Sequence, residues 1–358
     1  MMARSALILL LLVVFIMGTA HAHKASDSFL YITDGSARLD VAVQDLQRLH
    51  NIDSNGDGRV VWGELRAAEA ALAADILGAV VLQRDGAFCA VNAALSGVTQ
   101  HSDGAYGVWQ LESPCLAAEV QGVSLSYELL FAIDPLHRSL YRVERGAVVD
   151  VGVLAPDSPP LLLGQHRLWK TVVDFFGQGV IHLVFGYDHI LFLLALLLPV
   201  VARLPASSRL PGLLWQCGKI VTAFTLAHSL TLTAASLSWV RLPSGPVELV
   251  IALSVSIAAV LGLWSRYHLQ WQLAAGFGLI HGFGFASMLA GLLAEGPHTV
   301  LALASFNLGI EVAQIAVMLL VLPVLYLFRR AVWYQRGVNP AAMAVITLIG
   351  MFWAWQRI

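Results

Sequence analysis

Gly179-Val180-Ile181-His182-Leu183-Val184-Phe185-Gly186-Tyr187-Asp188-His189-Ile190-Leu191-Phe192 sets three ionisable side chains inside an apolar run that extends roughly from Val172 to Val201. That run is long enough to cross a bilayer, which takes about 20 residues as a helix. An Asp, Lys or Arg at such a depth costs at least about 2.5 kcal/mol, so intramembrane ionisable groups mark functional positions by default. Read as one continuous helix, His182 and His189 are seven residues and two turns apart on one face. Asp188 then points elsewhere, toward a histidine of another helix or toward a ligand.

Five more apolar runs follow, at roughly Leu213–Leu237, Val247–Trp264, Trp271–Leu293, Thr299–Phe328 and Ala341–Trp355. The first and fifth of the six are long, as expected of spans that tilt or begin in the interface. The second carries His228, the fourth His281, and the fifth Asn307, Glu311 and Gln314, which share a face at i, i+4 and i+7. Counting inward from the helix ends puts all these groups in the middle or periplasmic half of the membrane. Four spans can thus present His182, Asp188, His189, His228, His281 and Glu311 to one interior metal site, with Asn307 and Gln314 in support. The plainer alternative is that each group only hydrogen-bonds a neighbouring helix; four histidines and two carboxylates at similar depth weigh against it. Imidazole and carboxylate suit a divalent transition metal (nickel, cobalt or zinc) better than copper(I), which prefers sulfur. No methionine or thiolate cluster accompanies them. The glycines beside His281 fit close helix approach.

Composition agrees with a membrane protein. Of 358 residues 58% are hydrophobic and only 12% charged, with a mean hydropathy of +0.73. A net charge of -2 gives no basis for a nucleic-acid partner.

The N-terminus adds an export address. Arg4, an apolar stretch from Ala6 to Met17 and the A-x-A site Ala20-His21-Ala22 read as a secretory signal peptide over residues 1–22. Cleavage after Ala22 makes His23 the new N-terminus, and cleavage after Ala20 makes it His21; amine and imidazole together can chelate a metal there. Residues 23–165 then read as a periplasmic β-rich domain, with strands at Phe29–Ile32, Arg38–Val43, Ala79–Leu82, Tyr106–Leu111 and Val123–Leu130 and a helical segment at Glu64–Leu77. Pro156, Pro159 and Pro160 mark the linker to a six-helix domain over 166–358. With the first domain exported, the loops after spans one, three and five face the cytoplasm. Those loops and their edges hold Arg203, Arg209, Lys219, Arg266, Arg329, Arg330 and Arg336, against Arg241 and the tail's Arg357 on the other side. The positive-inside rule gives the same orientation as the signal peptide, hence a multi-pass protein of the bacterial inner membrane with the lipid bilayer as its partner.

Within the exported domain, Asp53-Ser-Asn55-Gly-Asp57-Gly58-Arg59-Val-Val-Trp-Gly-Glu64 meets D-x-[DN]-x-[DN]-G-x5-E in full, an EF-hand-like calcium loop. Asp53, Asn55 and Asp57 supply side-chain oxygens, Arg59 a carbonyl, and Glu64 closes the shell; Val61 at the ninth position leaves that ligand to water. The same domain holds Cys89 and Cys115, expected to pair in an oxidising compartment, while Cys217 falls in a later span as a free thiol.

These residues resemble the HupE/UreJ family of bacterial membrane proteins. The likeness rests on H-x5-D-H, met by His182, Asp188 and His189, and on Ala227-His228-Ser229-Leu230, Ile280-His281-Gly282-Phe283-Gly284 and Phe306-Asn307-Leu308-Gly309-Ile310-Glu311. It covers roughly Gly177 to Trp355. It implies a nickel or cobalt permease of the kind associated with hydrogenase and urease, with His182, Asp188 and His189 contacting the metal in transit. The large exported domain resembles an extended branch of the family. The family's compact motif, which joins His-Gly to a nearby glutamate, is not met after His281, leaving Glu311 on the next helix to play that part.

Two other functions compete. Three histidines and a carboxylate can fix zinc with an open position for water, an intramembrane hydrolase-like enzyme with Asp188 or Glu311 as base; neither H-E-x-x-H nor G-x-S-x-G is present. A sensor or partner-binding protein is the third. The wholly apolar stretch Ile190–Val201 argues against a wide pore.

Overall fold

A computed structural model describes residues 26–357 except 34, 102–103, 117–121, 146–147, 165–167, 206, 238, 241, 265–269 and 291–296. The signal peptide over 1–22 and His23 therefore lie outside the described residues, as do Arg241 and Arg266. The chain divides into two compact units, one built mainly from residues 24–174 and one from 175 onward.

The first unit is β-rich. Strands β1 (Asp27–Thr33), β2 (Ser36–Ala42), β5 (Asn92–His101), β6 (Gly104–Glu112), β8 (Arg138–Arg145) and β9 (Val148–Leu154) form a sheet in the order β5-β6-β2-β1-β8-β9. All neighbours are antiparallel except β1 with β8. A second sheet runs β10-β7-β3-β4, from β3 (Val80–Arg84), β4 (Ala87–Phe88), β7 (Val123–Tyr127) and β10 (Leu161–Leu162). Alternation in β7, where Val123, Leu125 and Tyr127 are buried, is the period-two signature of a strand with one face on the core. Leu30, Leu39 and Trp109 of one sheet and Leu82 and Leu125 of the other belong to a single apolar cluster.

Three short helices complete this unit: α1 (Val43–Leu49), α2 (Trp62–Ala67) and α3 (Glu69–Ala79). The sequence led us to expect one helical segment from Glu64 to Leu77. It is instead interrupted at Ala68 (φ -86°, ψ -3°), so that Leu65 before the break and Leu72 and Ile76 after it are all buried. The Asp53–Glu64 loop runs between α1 and α2. A disulfide joins Cys89 to Cys115 with Cα atoms 6.1 Å apart; Cys217 is buried and free.

The second unit is helical: α4 (Leu168–Phe185), α5 (Tyr187–Ala202), α6 (Leu210–Ser236), α7 (Ser244–Trp264), α8 (Gln270–Ala290), α9 (Pro297–Phe328) and, after a π-helical turn at Tyr334–Val338, α10 (Asn339–Gln356). Among the described residues three helices are long and apolar enough to cross a membrane, at 244–264, 298–328 and 334–356. The bent pair α4–α5 makes a fourth if counted as one span. That bend corrects the continuous first span read from the sequence. Gly186 leaves helical geometry (φ -77°, ψ 84°), and the axes of α4 and α5 diverge by 69°. Asp188 then sits in the first turn of α5, where the helix dipole favours an acid.

Helices α6 and α8 pack through glycine. A Cβ on Gly278 or Gly282 would collide with the backbone of Phe224 or His228, so only glycine allows this approach.

Candidate metal centre

The break at Gly186 builds the site. On a straight helix, residues seven apart rise by about 10 Å; the rings of His182 and His189 instead stand 4.7 Å apart, centroid to centroid. His228 of α6 comes within 6.3 Å of His182 and 6.2 Å of His189 by the same measure. Each of the three offers a nitrogen, and these nitrogens all lie within 4.8 Å of one another. Among the described residues it is the one group of three or more potential metal-binding side chains so gathered.

Hydrogen bonding fixes which nitrogens face inward. Asp188 Oδ1 accepts from the backbone N–H of His189 and from its ring Nδ1–H, each at 2.9 Å. The ring is thereby held in the tautomer whose Nε2 carries a lone pair, and that Nε2 is buried with no hydrogen-bond partner. Asp188 was expected to serve another helix or a ligand; here it orients its own sequence neighbour.

His281 of α8 lies 5.1 Å from His189. Its Nε2 is 2.8 Å from Ser254 Oγ, and Ser254 Oγ already donates to the Ile251 carbonyl at 2.6 Å. The His281 Nε2–H is therefore the donor, and Nδ1 is left buried with a lone pair and no partner. Both ring nitrogens of His228 are likewise buried, with the Asn307 side chain beside the ring. Such nitrogens in an apolar interior cost on the order of 1–3 kcal/mol each. A bound cation removes that cost, so the donor set fits a borderline divalent metal.

Glu311 stands apart from the imidazoles. Its Oε1 accepts from Thr222 Oγ1 at 2.8 Å, and Gln314 Oε1 accepts from Thr225 Oγ1 at 2.8 Å, tying α9 to α6. Asn307 Nδ2 donates to the Leu303 carbonyl at 2.8 Å. The single interior site read from the sequence thus resolves into an imidazole cluster and a separate band of oxygen donors. Ser254, Thr222 and Thr225 went unnoticed in the sequence. Ser254-Val-Ser256, a polar pair in the apolar run of α7, was the available signal.

On the other side of the imidazoles lies an aromatic floor. Phe192 packs against Phe224 and Phe277 at 5.3 and 5.5 Å and against His281 at 5.2 Å. Phe192 and Phe224 are both 2% exposed.

The Asp53–Glu64 loop turns its own oxygens inward. Asp53 accepts from the N–H groups of Gly56, Asp57 and Gly58, and Asn55 from Asp57. Asp57 accepts from Arg59. Glu64 accepts from Val61 N–H and, through its other oxygen, from Ser54. The bond from Val61, then those from Ser54, hold the Glu64 carboxyl below its ordinary range.

A family model described as HupE / UreJ protein matches residues 161–357. No curated protein and no solved structure matches the chain.

Proposed function

Because this chain belongs to the HupE/UreJ family, we propose that it carries a divalent transition metal, nickel or cobalt, across the bacterial inner membrane by way of His182, His189 and His228. One observation carries the reading: three imidazoles from three helices offer nitrogens within 4.8 Å of one another in an apolar interior. His281 is a fourth nitrogen at the edge of the cluster, and Asp188 is the carboxylate that orients His189.

In this reading the membrane is crossed six times, with α4 and α5 as one broken crossing and α6 to α10 as the other five. Exposed tryptophans near helix ends support it, since indole rings favour the membrane interface: Trp169, Trp215, Trp239, Trp264, Trp271 and Trp355. The excess of arginine in the loops after spans one, three and five supports a cytoplasmic position for those loops, and the signal-peptide pattern over 1–22 supports a periplasmic β-rich unit. Cleavage exposing His23 would give that unit a terminal chelating group, which mass spectrometry of the mature chain would check.

The loop between α1 and α2 fits a resident calcium ion. Its glycines Gly56 and Gly58 take positive φ (72° and 81°), and the oxygens of Asp53, Asn55, Asp57 and Glu64 already converge on the loop's own amides. Those side chains and the Arg59 carbonyl would hold the ion, which would pin α1 to α2. A calcium-dependent rise in the melting temperature, absent from Glu64→Gln, is the check.

Transport itself is tested with purified full-length protein in liposomes containing a metal-sensitive fluorophore. Wild type should admit cobalt(II) or nickel(II), and His189→Ala should not. Metal that binds tightly through His189 yet never crosses would instead favour an intramembrane metal-dependent hydrolase.

A further inference from the structure

Glu311 holds a carboxylate within the apolar helix α9, yet it takes no place among the clustered imidazoles. Its neighbours along the α6–α9 contact are polar. Asn307 sits beside His228; its Nδ2 is used by Leu303, while its Oδ1 is buried, the residue as a whole being 9% exposed. Farther along the two helices Glu311 bonds Thr222 and Gln314 bonds Thr225.

Both helices carry these oxygens away from the imidazoles in the same direction. From His228, Thr225 and Thr222 lie about 4.5 and 9 Å down the axis of α6, at 1.5 Å per residue. From Asn307, Glu311 and Gln314 lie about 6 and 10.5 Å along α9. The two helices run antiparallel here: His182 touches both His228 and Phe306 at one level, and Tyr326 of α9 donates to the Ser208 carbonyl just before α6 at the other. The oxygen donors therefore lead from the imidazole cluster toward the end of the bundle that carries Arg209, Arg329 and Arg330.

The direct way down is closed. Phe192, Phe224 and Phe277 fill the space beneath His189 and His281, and the apolar core continues below them. A cation leaving the imidazoles meets hydrocarbon on the α5–α8 side and carbonyl, hydroxyl and carboxylate oxygens on the α6–α9 side. Desolvated cations follow oxygen.

We propose that the α6–α9 seam is the exit path for the metal and that Glu311 is a second cation station on it, with oxygen rather than nitrogen ligands. This inference rests on the transport reading above. The carboxylate neutralises charge where no imidazole reaches, and Asn307 Oδ1 bridges the two stations. Moving from borderline imidazole nitrogen to harder oxygen donors lets the ion leave the nitrogen cluster without crossing the aromatic floor.

The test uses full-length wild type, Glu311→Gln and Glu311→Asp with cobalt(II) as the probe. Binding is read from the visible spectrum in detergent, and flux from proteoliposomes. Glu311→Gln should keep the nitrogen-ligated cobalt spectrum and lose flux by about tenfold or more, the effect of removing one charged contact; Glu311→Asp should recover part of it. Normal flux in Glu311→Gln would overturn the second station and leave the imidazole site standing. Loss of the spectrum in Glu311→Gln would place Glu311 in the first site, which also overturns the proposal. A wild type that passes no cobalt would remove the transport reading and this one together.

Discussion

His189 shows how much one side chain depends on its neighbour. Its ring is useful to a metal only while Nδ1 holds the proton, and Asp188 Oδ1 at 2.9 Å keeps it there. Asp188→Asn leaves the shape and removes the charged acceptor, so cobalt affinity should fall by about 10–100-fold with the fold intact; calorimetric titration of the purified variant measures it. The clustered imidazoles were legible in the sequence as residues, because ionisable side chains in an apolar run stand out. Their partners were less so: Ser254, Thr222 and Thr225 are ordinary in membrane helices, and nothing local says that they face His281, Glu311 and Gln314. In the β-rich unit, His137 sits in a closed network with Ser26 (2.6 Å) and Tyr127 (2.8 Å). Burial first, and the charge of Arg138 second, push its pKa down from 6.5 to about 3. In the unfolded chain the same ring charges below its ordinary value. Its contribution to stability is thus fully present above pH 6.5 and is lost as pH falls toward 3, by on the order of a few kcal/mol. Protease resistance of the β-rich unit in full-length protein should decline over that interval, and His137→Gln should flatten the decline.

At the scale of elements, the first span carried the largest surprise. Seven-residue spacing reads as one helical face, and Gly186 gives no warning, since glycine is common in membrane helices. The 69° bend is what brings His182 and His189 together, and it is held where a side chain at Gly186 would strike the His182 carbonyl or His189 Nδ1. The glycines beside His281 read in the sequence as a place of close helix approach, and the helix they approach is α6. Gly282→Leu should separate α6 and α8, because its side chain would meet Thr231 and the His228 carbonyl. Overpacking of this kind costs about 1–3 kcal/mol or more. The predicted result is a lower melting temperature in detergent together with weaker cobalt binding, since His228 and His281 ride on the two displaced helices. Strand β5 escaped the sequence reading for a different reason: Asn92–His101 is rich in small and polar residues, and only Leu95 within it is buried.

At the scale of the molecule, the shift in composition near residue 165 marked a β-rich unit from a helical one, and the chain divides at 174. What composition could not convey is that the buried polar groups of the helical unit separate into an imidazole cluster and a band of oxygen donors between α6 and α9. The account therefore turns on what surrounds a bound ion. X-ray absorption at the cobalt edge, recorded on full-length protein loaded with one equivalent of cobalt(II) in the presence of calcium, reads that environment directly. The account predicts a shell dominated by imidazole nitrogen, with its characteristic multiple-scattering signal reduced in His228→Ala. A shell of oxygen alone, unchanged by His228→Ala, would contradict it and put the metal elsewhere in the protein.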